Sequence, residues 1–263
     1  MSPTTCTTYW WRRPDGLLNF GDDLTPFLIE RLFPGVSATW ADLDDADLVG
    51  IGSVLQQFKR HRTSRLHCWG AGYIASNSWG MHDRTQFHAV RGALTLAKLQ
   101  PGQQRGVVLG DPGLLVGLLF DAQEVETKYE LGVVPHYVDA SAPLLGELSR
   151  SADVSIIDVA APVAEVVRGV AQCRRIISSS LHGLVLSDAL RIPNAWVQFS
   201  ADVAGDGFKF ADYYSGFGRE PDVTPLSPMR DLLRAVETRY RPIESLDAVQ
   251  AALLDTFPQQ IAR

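Results

Sequence analysis

Residues 176–186 read IISSSLHGLVL and predict the junction between a buried strand and a helix. The segment opens with two isoleucines, which favour a strand buried on both faces, and it ends in an apolar run that fits a helix. Three serines and His182 stand at the turn between the two. Because ligands of open parallel sheets bind beyond the carboxyl ends of the strands, this turn is expected to belong to the active site of an α/β enzyme.

Short apolar runs alternate with helical patterns on both sides of this junction, which is typical of parallel βαβ units. The charged segment 120–130 separates two strongly apolar parts of the chain. We predict an α/β fold of two Rossmann-like domains that face a cleft, residues 1–125 and 126–263, with the last helix packing back on the first domain. The predicted strands are residues 7–11, 36–40, 48–51, 66–69, 89–90, 106–109, 131–135, 154–158, 175–178 and 195–198. The predicted helices are residues 24–32, 54–58, 92–100, 143–150, 162–173, 184–190, 228–240 and 245–254.

The composition is that of a globular protein, with 46% hydrophobic and 21% charged residues among 263. The net charge of -6 argues against a nucleic-acid partner, which would favour a basic surface. The sequence has neither a membrane-length apolar run nor a signal-peptide pattern, so a cytoplasmic protein is expected. Its three separated cysteines predict buried thiols, and the lack of a Cys/His cluster or an H-E-x-x-H motif predicts no metal site.

Polar and charged residues follow several predicted strands of the first half. Arg91 stands at a strand-to-helix junction, where the helix N-terminus also favours anions. Asn19 and Asp22 stand in a predicted turn, and for Asp22 a helix cap and a ligand contact both stay open. Asp111 is interpreted as a cap of the helix that follows it.

Two histidines end strands of the second half, and both are candidates for proton transfer. His136 follows a predicted strand in VVPHY, and His182 follows three serines in the segment quoted first. Imidazole titrates near neutral pH, which suits a general acid or base.

Residues 207–218, GFKFADYYSGFG, place aromatic rings, a cation and a carboxylate between glycines. We predict a mobile or tightly bent loop that contributes to the site, with packing of its rings on the core as the alternative. Lys209 would suit a phosphate, and aromatic rings stack on sugars.

Eight segments, taken together and in order, resemble the polysaccharide pyruvyltransferase family, in particular its xanthan-type branch. They cover about three quarters of the chain and are NFGDDL from residue 19, GIGSVL from 50, WGAGY from 69, VRGALT from 90, LGDPGLL from 109, VVPHYVD from 133, ISSSLHGLVLSDALRIP from 177 and FKFADYYSGFG from 208.

The resemblance implies a fold similar to the two-domain GT-B glycosyltransferases and to bacterial sialyltransferases. It implies transfer from phosphoenolpyruvate, as co-substrate without a further cofactor, to a sugar of an exopolysaccharide or glycolipid precursor on a lipid-linked or oligosaccharide carrier. The product would be a cyclic pyruvate ketal, and phosphate would be released. A homo-oligomer and association with the inner face of the membrane stay open.

The resemblance also implies roles for individual residues. Ser180 stands where many members carry an arginine, which leaves Arg91 and Lys209 as anion holders and Arg174 or Arg175 as substitutes. The expected catalytic residues are His182, Arg91 and His136. The expected donor-binding residues are Arg91, Lys209, Ser179, Ser180 and His182. The expected acceptor-binding residues are Asn19, Asp22, Tyr213 and His136.

Two alternatives remain at this point. One is a GT-B glycosyltransferase of the sialyltransferase kind that uses a nucleotide-activated sugar. The other is a carbohydrate-binding or scaffold subunit without enzymatic activity, although such a protein has little use for clustered histidine, arginine and lysine side chains in a cleft.

Overall fold

The structure, a computed structural model, describes residues 4–224 and 229–261. Its strands form two sheets, and all the strand pairs run parallel, so the predicted α/β class is confirmed. The first sheet has the order β2-β1-β3-β4-β5-β6 and the second the order β10-β9-β7-β8. The strands are β1 Thr4–Tyr9, β2 Val36–Trp40, β3 Leu48–Val49, β4 Leu66–Trp69, β5 Thr85–Val90, β6 Val108–Leu109, β7 Leu131–Val134, β8 Val154–Ile156, β9 Ile176–Ser178 and β10 Asn194–Trp196.

Helices connect most of these strands. Every residue of β4, β7 and β9 is buried, as expected for parallel strands that are covered on both faces. The α-helices are α1 Phe20–Leu32, α2 Ala93–Leu96, α3 Pro143–Leu148, α4 Val163–Ala171, α5 Leu181–Ala189, α6 Phe208–Ser215, α7 Met229–Arg239 and α8 Leu246–Asp255. Short 3₁₀ helices include Leu55–Gln57, Pro112–Leu118, Ala122–Glu124 and Tyr137–Asp139.

Helices α1 and α5 begin one turn earlier than the apolar pattern predicted. The first turn of α1 is FGDD and that of α5 is LHGL, so glycine and polar residues at each start hid the helical period. As a result His182 lies inside the first turn of α5. Helix α2, predicted over residues 92–100, is much shorter and ends at Leu96.

The predicted loop at residues 207–218 is wrong, because most of it forms helix α6. Gly207 is the N-cap and has a φ of 80°, which suits glycine, so this glycine starts the helix instead of breaking it. The ring of Phe210 stacks on Trp196 with the ring centroids 4.1 Å apart. This segment therefore packs its aromatic rings on the core, as the alternative prediction for residues 207–218 stated.

The two sheets share buried structure. One cluster of buried apolar side chains includes Leu24 from α1, Trp69 from β4, Leu184 from α5 and Phe210 from α6. Helix α8 contacts β6 and the 3₁₀ helix Pro112–Leu118, and Trp69 donates a hydrogen bond through Nε1 to the carbonyl of Leu253, 2.9 Å away. The division into two domains near residue 125 stays a prediction.

Among the described residues, none of the helices combines the length and the hydrophobicity that crossing a bilayer requires.

Candidate active site

A cavity of about 240 Å³ lies at the carboxyl ends of strands from both sheets. Trp11 follows β1, Ser53 follows β3, His136 follows β7 and Ser180 follows β9, and all four residues line it. This is the position at which parallel α/β folds bind ligands. The turn after β9, singled out from the sequence, forms one wall of this cavity.

Two helix N-termini point their first residues at the cavity. Asn19 is the N-cap of α1 and Ser180 is the N-cap of α5, and both line the cavity. The first amides of a helix have no partner in their own helix, and the helix dipole adds partial positive charge. The cavity is therefore suited to an anion.

Lys209, on the first turn of α6, adds a full positive charge to this wall. The residue is 6% exposed and lines the cavity, and none of the described residues accepts a hydrogen bond from its Nζ. Burial, followed by the charge of Arg91, lowers the pKa of Lys209 to about 8, against the opposing effect of Asp22 and Asp139. At neutral pH the ammonium is charged and available to a ligand.

Asp22 lies on the first turn of α1 and is also buried in the cavity wall. Burial, with a contribution from Asp23, raises the pKa of its carboxyl to about 8, so the group holds a proton at neutral pH. Asn19 donates a hydrogen bond to its Oδ2. A methyl group on Gly52 would lie 2.5 Å from its Oδ1, so the glycine after β3 makes room for this carboxyl.

The pKa of His182 is shifted in the opposite direction from that of Asp22. Its side chain is 12% exposed, and burial, together with the charges of Arg91 and Lys209, lowers its pKa to about 3. The ring is therefore neutral at physiological pH and can accept a proton. Gly21 packs on it so closely that a methyl group there would lie 2.0 Å from Nδ1.

Asp22 and His182 together form a proton donor and a proton acceptor in one cavity. Opposite pKa shifts of neighbouring groups are the feature by which acid and base roles are assigned in enzymes. Asp22 was predicted as an acceptor contact, and its raised pKa adds a function as an acid that the sequence pattern does not indicate.

His136 lines the cavity next to Tyr137 and is the N-cap of the 3₁₀ helix Tyr137–Asp139, where its Nδ1 accepts from the amide of Val138 at 3.4 Å. Burial, then the charges of Lys209 and Arg13, lower its pKa to about 3. It is a second neutral imidazole at the site.

Among the serines after β9, Ser180 lines the cavity and Ser179 does not. The Ser179 hydroxyl is 1% exposed, donates to Asp139 Oδ2 at 2.5 Å and accepts from the amide of His136 at 2.9 Å. Ser179 thus joins the turns that follow β7 and β9. The prediction that it contacts the donor is corrected to this supporting position.

Arg91 lies beneath the cavity, and the prediction of a direct grip on the donor is corrected. Its side chain is fully buried: Nε donates to Asp212 Oδ2 at 2.9 Å, Nη1 to Ser53 Oγ at 2.6 Å and Nη2 to the carbonyl of Tyr73 at 2.6 Å. Its charge still acts on the site, because it lowers the pKa values of His182 and Lys209.

Tyr213, predicted to face the acceptor, is instead part of the core. Its side chain is 0% exposed, and its hydroxyl donates to Asp188 Oδ2 at 2.8 Å. Tyr213 lies one turn after Lys209 on the same face of α6, but it is buried in the core and does not line the cavity. The suggested substitutes Arg174 and Arg175 form ion pairs with Glu130 and do not line the cavity.

Several lining residues were missed from the sequence. Trp11 and Tyr137 line the cavity with their rings stacked at a centroid distance of 5.9 Å, and Gln56 and Gln57 add amide groups. Aromatic faces and amides are common contacts of sugars. Trp11 is the last residue of the first predicted strand, residues 7–11, and β1 ends two residues earlier at Tyr9, so a correct strand end would have identified it.

Within the described ranges 4–224 and 229–261, no group of three or more histidine, cysteine or acidic side chains could hold a metal ion. The three cysteines are buried and free, as predicted.

The structure is that of a parallel α/β protein with a cavity suited to an anion, in which a carboxyl with a raised pKa lies near an imidazole with a lowered pKa. Residues 81–199, which include Arg91, His136 and His182, match the polysaccharide pyruvyl transferase family. This match confirms the resemblance to the family that was drawn from the motifs of the sequence. Asp22 and Lys209 lie outside the matched segment.

Two relatives extend the comparison. The chain is 30% identical over 212 residues to "Succinoglycan biosynthesis protein ExoV" of Rhizobium meliloti (strain 1021), covering 80% of this chain and 64% of that protein. It is 36% identical over 141 residues to "Uncharacterized protein L143" of Acanthamoeba polyphaga mimivirus, covering 51% of this chain and 49% of that protein. The chain thus spans less than two thirds of the length of each.

Proposed function

We propose that the protein transfers the pyruvyl group of phosphoenolpyruvate to a sugar of an exopolysaccharide precursor, forming a cyclic ketal and releasing phosphate. The observation that carries this proposal is that Asp22, His182 and Lys209 line one cavity, where burial raises the pKa of Asp22 and lowers that of His182. The match to the polysaccharide pyruvyl transferase family and the similarity to a protein named for succinoglycan biosynthesis support the same class of reaction. A GT-B-like arrangement of the two halves around this cavity is part of the proposal.

Phosphoenolpyruvate carries a carboxylate and a phosphate, so its site needs fixed positive charge. Lys209 and the N-termini of α1 and α5 supply it in the proposed donor site. A partly closed cavity strengthens these interactions because water screens them less.

In the proposed reaction, Asp22 donates its proton to the methylene carbon of phosphoenolpyruvate, and the adjacent carbon becomes an oxocarbenium-like electrophile. A sugar hydroxyl forms a C–O bond to this carbon, and His182 accepts the hydroxyl proton. The C–O bond to phosphate then breaks, and phosphate leaves with its bonding electron pair and takes the proton from His182. A second hydroxyl of the same sugar forms a C–O bond to the resulting oxocarbenium-like carbon and closes the ketal, and its proton returns to Asp22.

The acceptor is proposed to bind along the wall formed by Trp11, Tyr137, Asn19 and the two glutamines. These groups offer an aromatic face and hydrogen-bond donors and acceptors beside His136.

Mass spectrometry after incubation with phosphoenolpyruvate and a panel of sugar acceptors tests the proposal directly. We expect a pyruvyl group on an acceptor, with release of one phosphate for each group added. Thermal shifts with phosphoenolpyruvate, UDP-sugars and CMP-sialic acid provide the comparison, since a bound ligand stabilises the folded state. Stabilisation by a nucleotide sugar but not by phosphoenolpyruvate would favour the glycosyltransferase alternative.

Lys209→Met should weaken phosphoenolpyruvate binding by about 10- to 100-fold, because a hydrogen bond to a charged group contributes about 1.5–3 kcal/mol. In the wild type the affinity should fall as the pH rises through 8, since Lys209 loses its positive charge and Asp22 becomes an anion over the same pH range. Calorimetric titration measures both effects. Lys128→Met, an exposed lysine outside the cavity, is the control, and equal affinities of the two variants would contradict the assignment.

A further inference from the structure

Two buried polar atoms face each other behind the cavity without a hydrogen bond. Oδ2 of Asp111 and Nε2 of His182 lie 3.7 Å apart, and neither has a hydrogen-bond partner among the described residues. Both atoms are enclosed, and Asp111 is 0% exposed. An unpaired buried polar atom lowers the stability of the folded protein, so a pair of them directed at one another needs an explanation.

We propose that Asp111 is a positioning residue for His182: its carboxylate accepts a hydrogen bond from Nε2–H and so leaves Nδ1 as the nitrogen that accepts a proton from the ligand. This inference rests on the proposed function, in which His182 is the base. Asp111 was interpreted from the sequence as a helix cap, and the proposal adds a second role for the same side chain.

The position of the carboxylate is fixed by its other oxygen. Oδ1 of Asp111 accepts from the amide of Gly113 at 2.8 Å and caps the 3₁₀ helix Pro112–Leu118. That helix packs against α5, which carries His182. One oxygen therefore anchors the side chain in the first half of the chain while the other is directed at a residue of the second half.

The position of the imidazole in the cavity wall also indicates that Nδ1 is the nitrogen that accepts the proton. His182 lines the cavity, yet its Nε2 is fully enclosed, so Nδ1 is the nitrogen that a ligand can reach. Nδ1 lies beside Gly21, at the start of α1 next to Asp22. The proposed proton donor and the proton-accepting nitrogen thus belong to the same corner of the cavity.

At neutral pH the pair consists of an ionised carboxylate and a neutral ring. Burial, followed by the charges of Arg91 and Lys209, lowers the pKa of His182, while Arg91 and Asp212 act on the pKa of Asp111 in opposite directions. Burial raises the pKa of Asp111 to about 6, which leaves the carboxylate ionised at neutral pH. A carboxylate only accepts hydrogen bonds, so the hydrogen of the neutral imidazole belongs on Nε2.

A small movement completes the bond. Hydrogen bonds between nitrogen and oxygen have lengths of about 2.7–3.2 Å, so the two atoms must approach by roughly 0.5–1 Å. Catalytic hydrogen bonds are often long in ligand-free proteins and shorten when substrate binds.

The test uses Asp111→Asn in the full chain. The asparagine keeps an Oδ1 for the Gly113 amide, but its Nδ2 donates to Nε2 and so forces the hydrogen of the ring onto Nδ1. Nitrogen NMR of ¹⁵N-histidine-labelled protein, with the signal of His182 identified by its loss in His182→Gln, reports the tautomer. We expect Nε2–H in the wild type, Nδ1–H in Asp111→Asn, and a loss of pyruvyl transfer of about 100-fold or more.

Asp121→Asn is the matched control. Asp121 caps the 3₁₀ helix Ala122–Glu124 through Oδ1, which accepts from the amide of Gln123 at 2.8 Å, but it is exposed and lies outside the cavity. This variant should keep the Nε2–H tautomer and full activity. A folded Asp111→Asn that retains Nε2–H, or that loses no more activity than Asp121→Asn, would overturn the proposal. If the wild type transfers no pyruvyl group, the proposed function fails, and the tautomers alone decide the role of Asp111.

Discussion

Burial moves the pKa values of Asp22 and His182 in opposite directions because desolvation penalises whichever form is charged. For the carboxyl the charged form is the deprotonated one, so its pKa rises, and for the imidazole it is the protonated one, so its pKa falls. Burial in one cavity wall therefore keeps the Asp22 carboxyl protonated and the His182 ring neutral at physiological pH.

Asp22→Asn should separate activity from stability. The variant lacks the proposed acid, so we expect turnover to fall by about 100- to 10,000-fold. Its melting temperature should exceed that of the wild type. Between the ordinary pKa of 3.8 and about 8, the folded wild type retains a proton that the unfolded chain releases, so its free energy of unfolding decreases as the pH rises.

The stability difference between Asp22→Asn and the wild type should therefore grow from pH 4 to pH 8 and level off above pH 8, as measured by thermal unfolding across this range. Asp153→Asn, an exposed carboxylate outside the cavity, should change neither property. A difference that stays constant with pH would mean that Asp22 is ionised in the folded protein.

At the scale of residues, the sequence identifies positions better than roles. Asn19, Asp22, His136, Ser180, His182 and Lys209 all line the cavity, since strand ends converge there. Arg91 and Tyr213 were also placed at the site because of their chemistry, but each has a buried carboxylate partner, Asp212 or Asp188, that is distant in sequence. No local pattern reveals such a partner.

At the scale of elements, α5 brings His182 to the cavity only because it packs very closely on the strands beneath it. Gly183 permits this close packing because it has no side chain. A methyl group at Gly183 would lie 2.3 Å from Ser178 Oγ and 2.8 Å from a methyl carbon of Val134. The hydroxyl of Ser178 is held by the carbonyl of Val134 at 2.7 Å and by the amide of Ser180 at 3.0 Å, so it cannot move aside without breaking bonds in this turn.

Gly183→Ala and Gly169→Ala should therefore change stability in opposite directions. Gly183→Ala overpacks the junction of β9 and α5 and should cost about 1–3 kcal/mol of unfolding free energy. Gly169, in α4, has ordinary space, since a methyl group there would lie 3.6 Å from Ile157. Alanine at this helical position should stabilise the protein by about 0.5–1 kcal/mol. Urea unfolding measures both, and a destabilised Gly169→Ala would show that helix propensity does not decide the outcome there.

Elements were predictable from sequence where their apolar period was uninterrupted. The predicted strands at 36–40 and 66–69 coincide with β2 and β4. Helix α6 was missed because glycines at its ends and a polar Lys209–Asp212 pair inside obscure the period. Its formation depends on burying Phe210 and Tyr213 against distant parts of the chain, which is tertiary information.

At the scale of the whole molecule, a buried polar junction connects the two halves of the chain. Asp212 on α6 accepts from Arg91 Nε at 2.9 Å, from Thr95 Oγ1 at 2.7 Å and from the Thr95 amide at 2.7 Å. Both charged side chains are fully buried. The same arginine holds Ser53 at the cavity wall, so the junction couples the packing of the two halves to the geometry of the site.

Arg91→Met should therefore destabilise the protein far more than the loss of an exposed ion pair. Removing one partner of a buried pair leaves an uncompensated charge and costs about 3–5 kcal/mol. Arg239→Met is the control: Arg239 and Asp222 are also 2.9 Å apart but largely exposed, so its cost should stay below about 1 kcal/mol. Adding Asp212→Asn to Arg91→Met should recover part of the loss, because the buried carboxylate is then neutral. Chemical unfolding of the wild type, the two single variants and the double variant measures these free energies of unfolding. A double variant less stable than Arg91→Met would mean that Arg91→Met destabilises the protein through lost packing and not through the unpaired charge of Asp212.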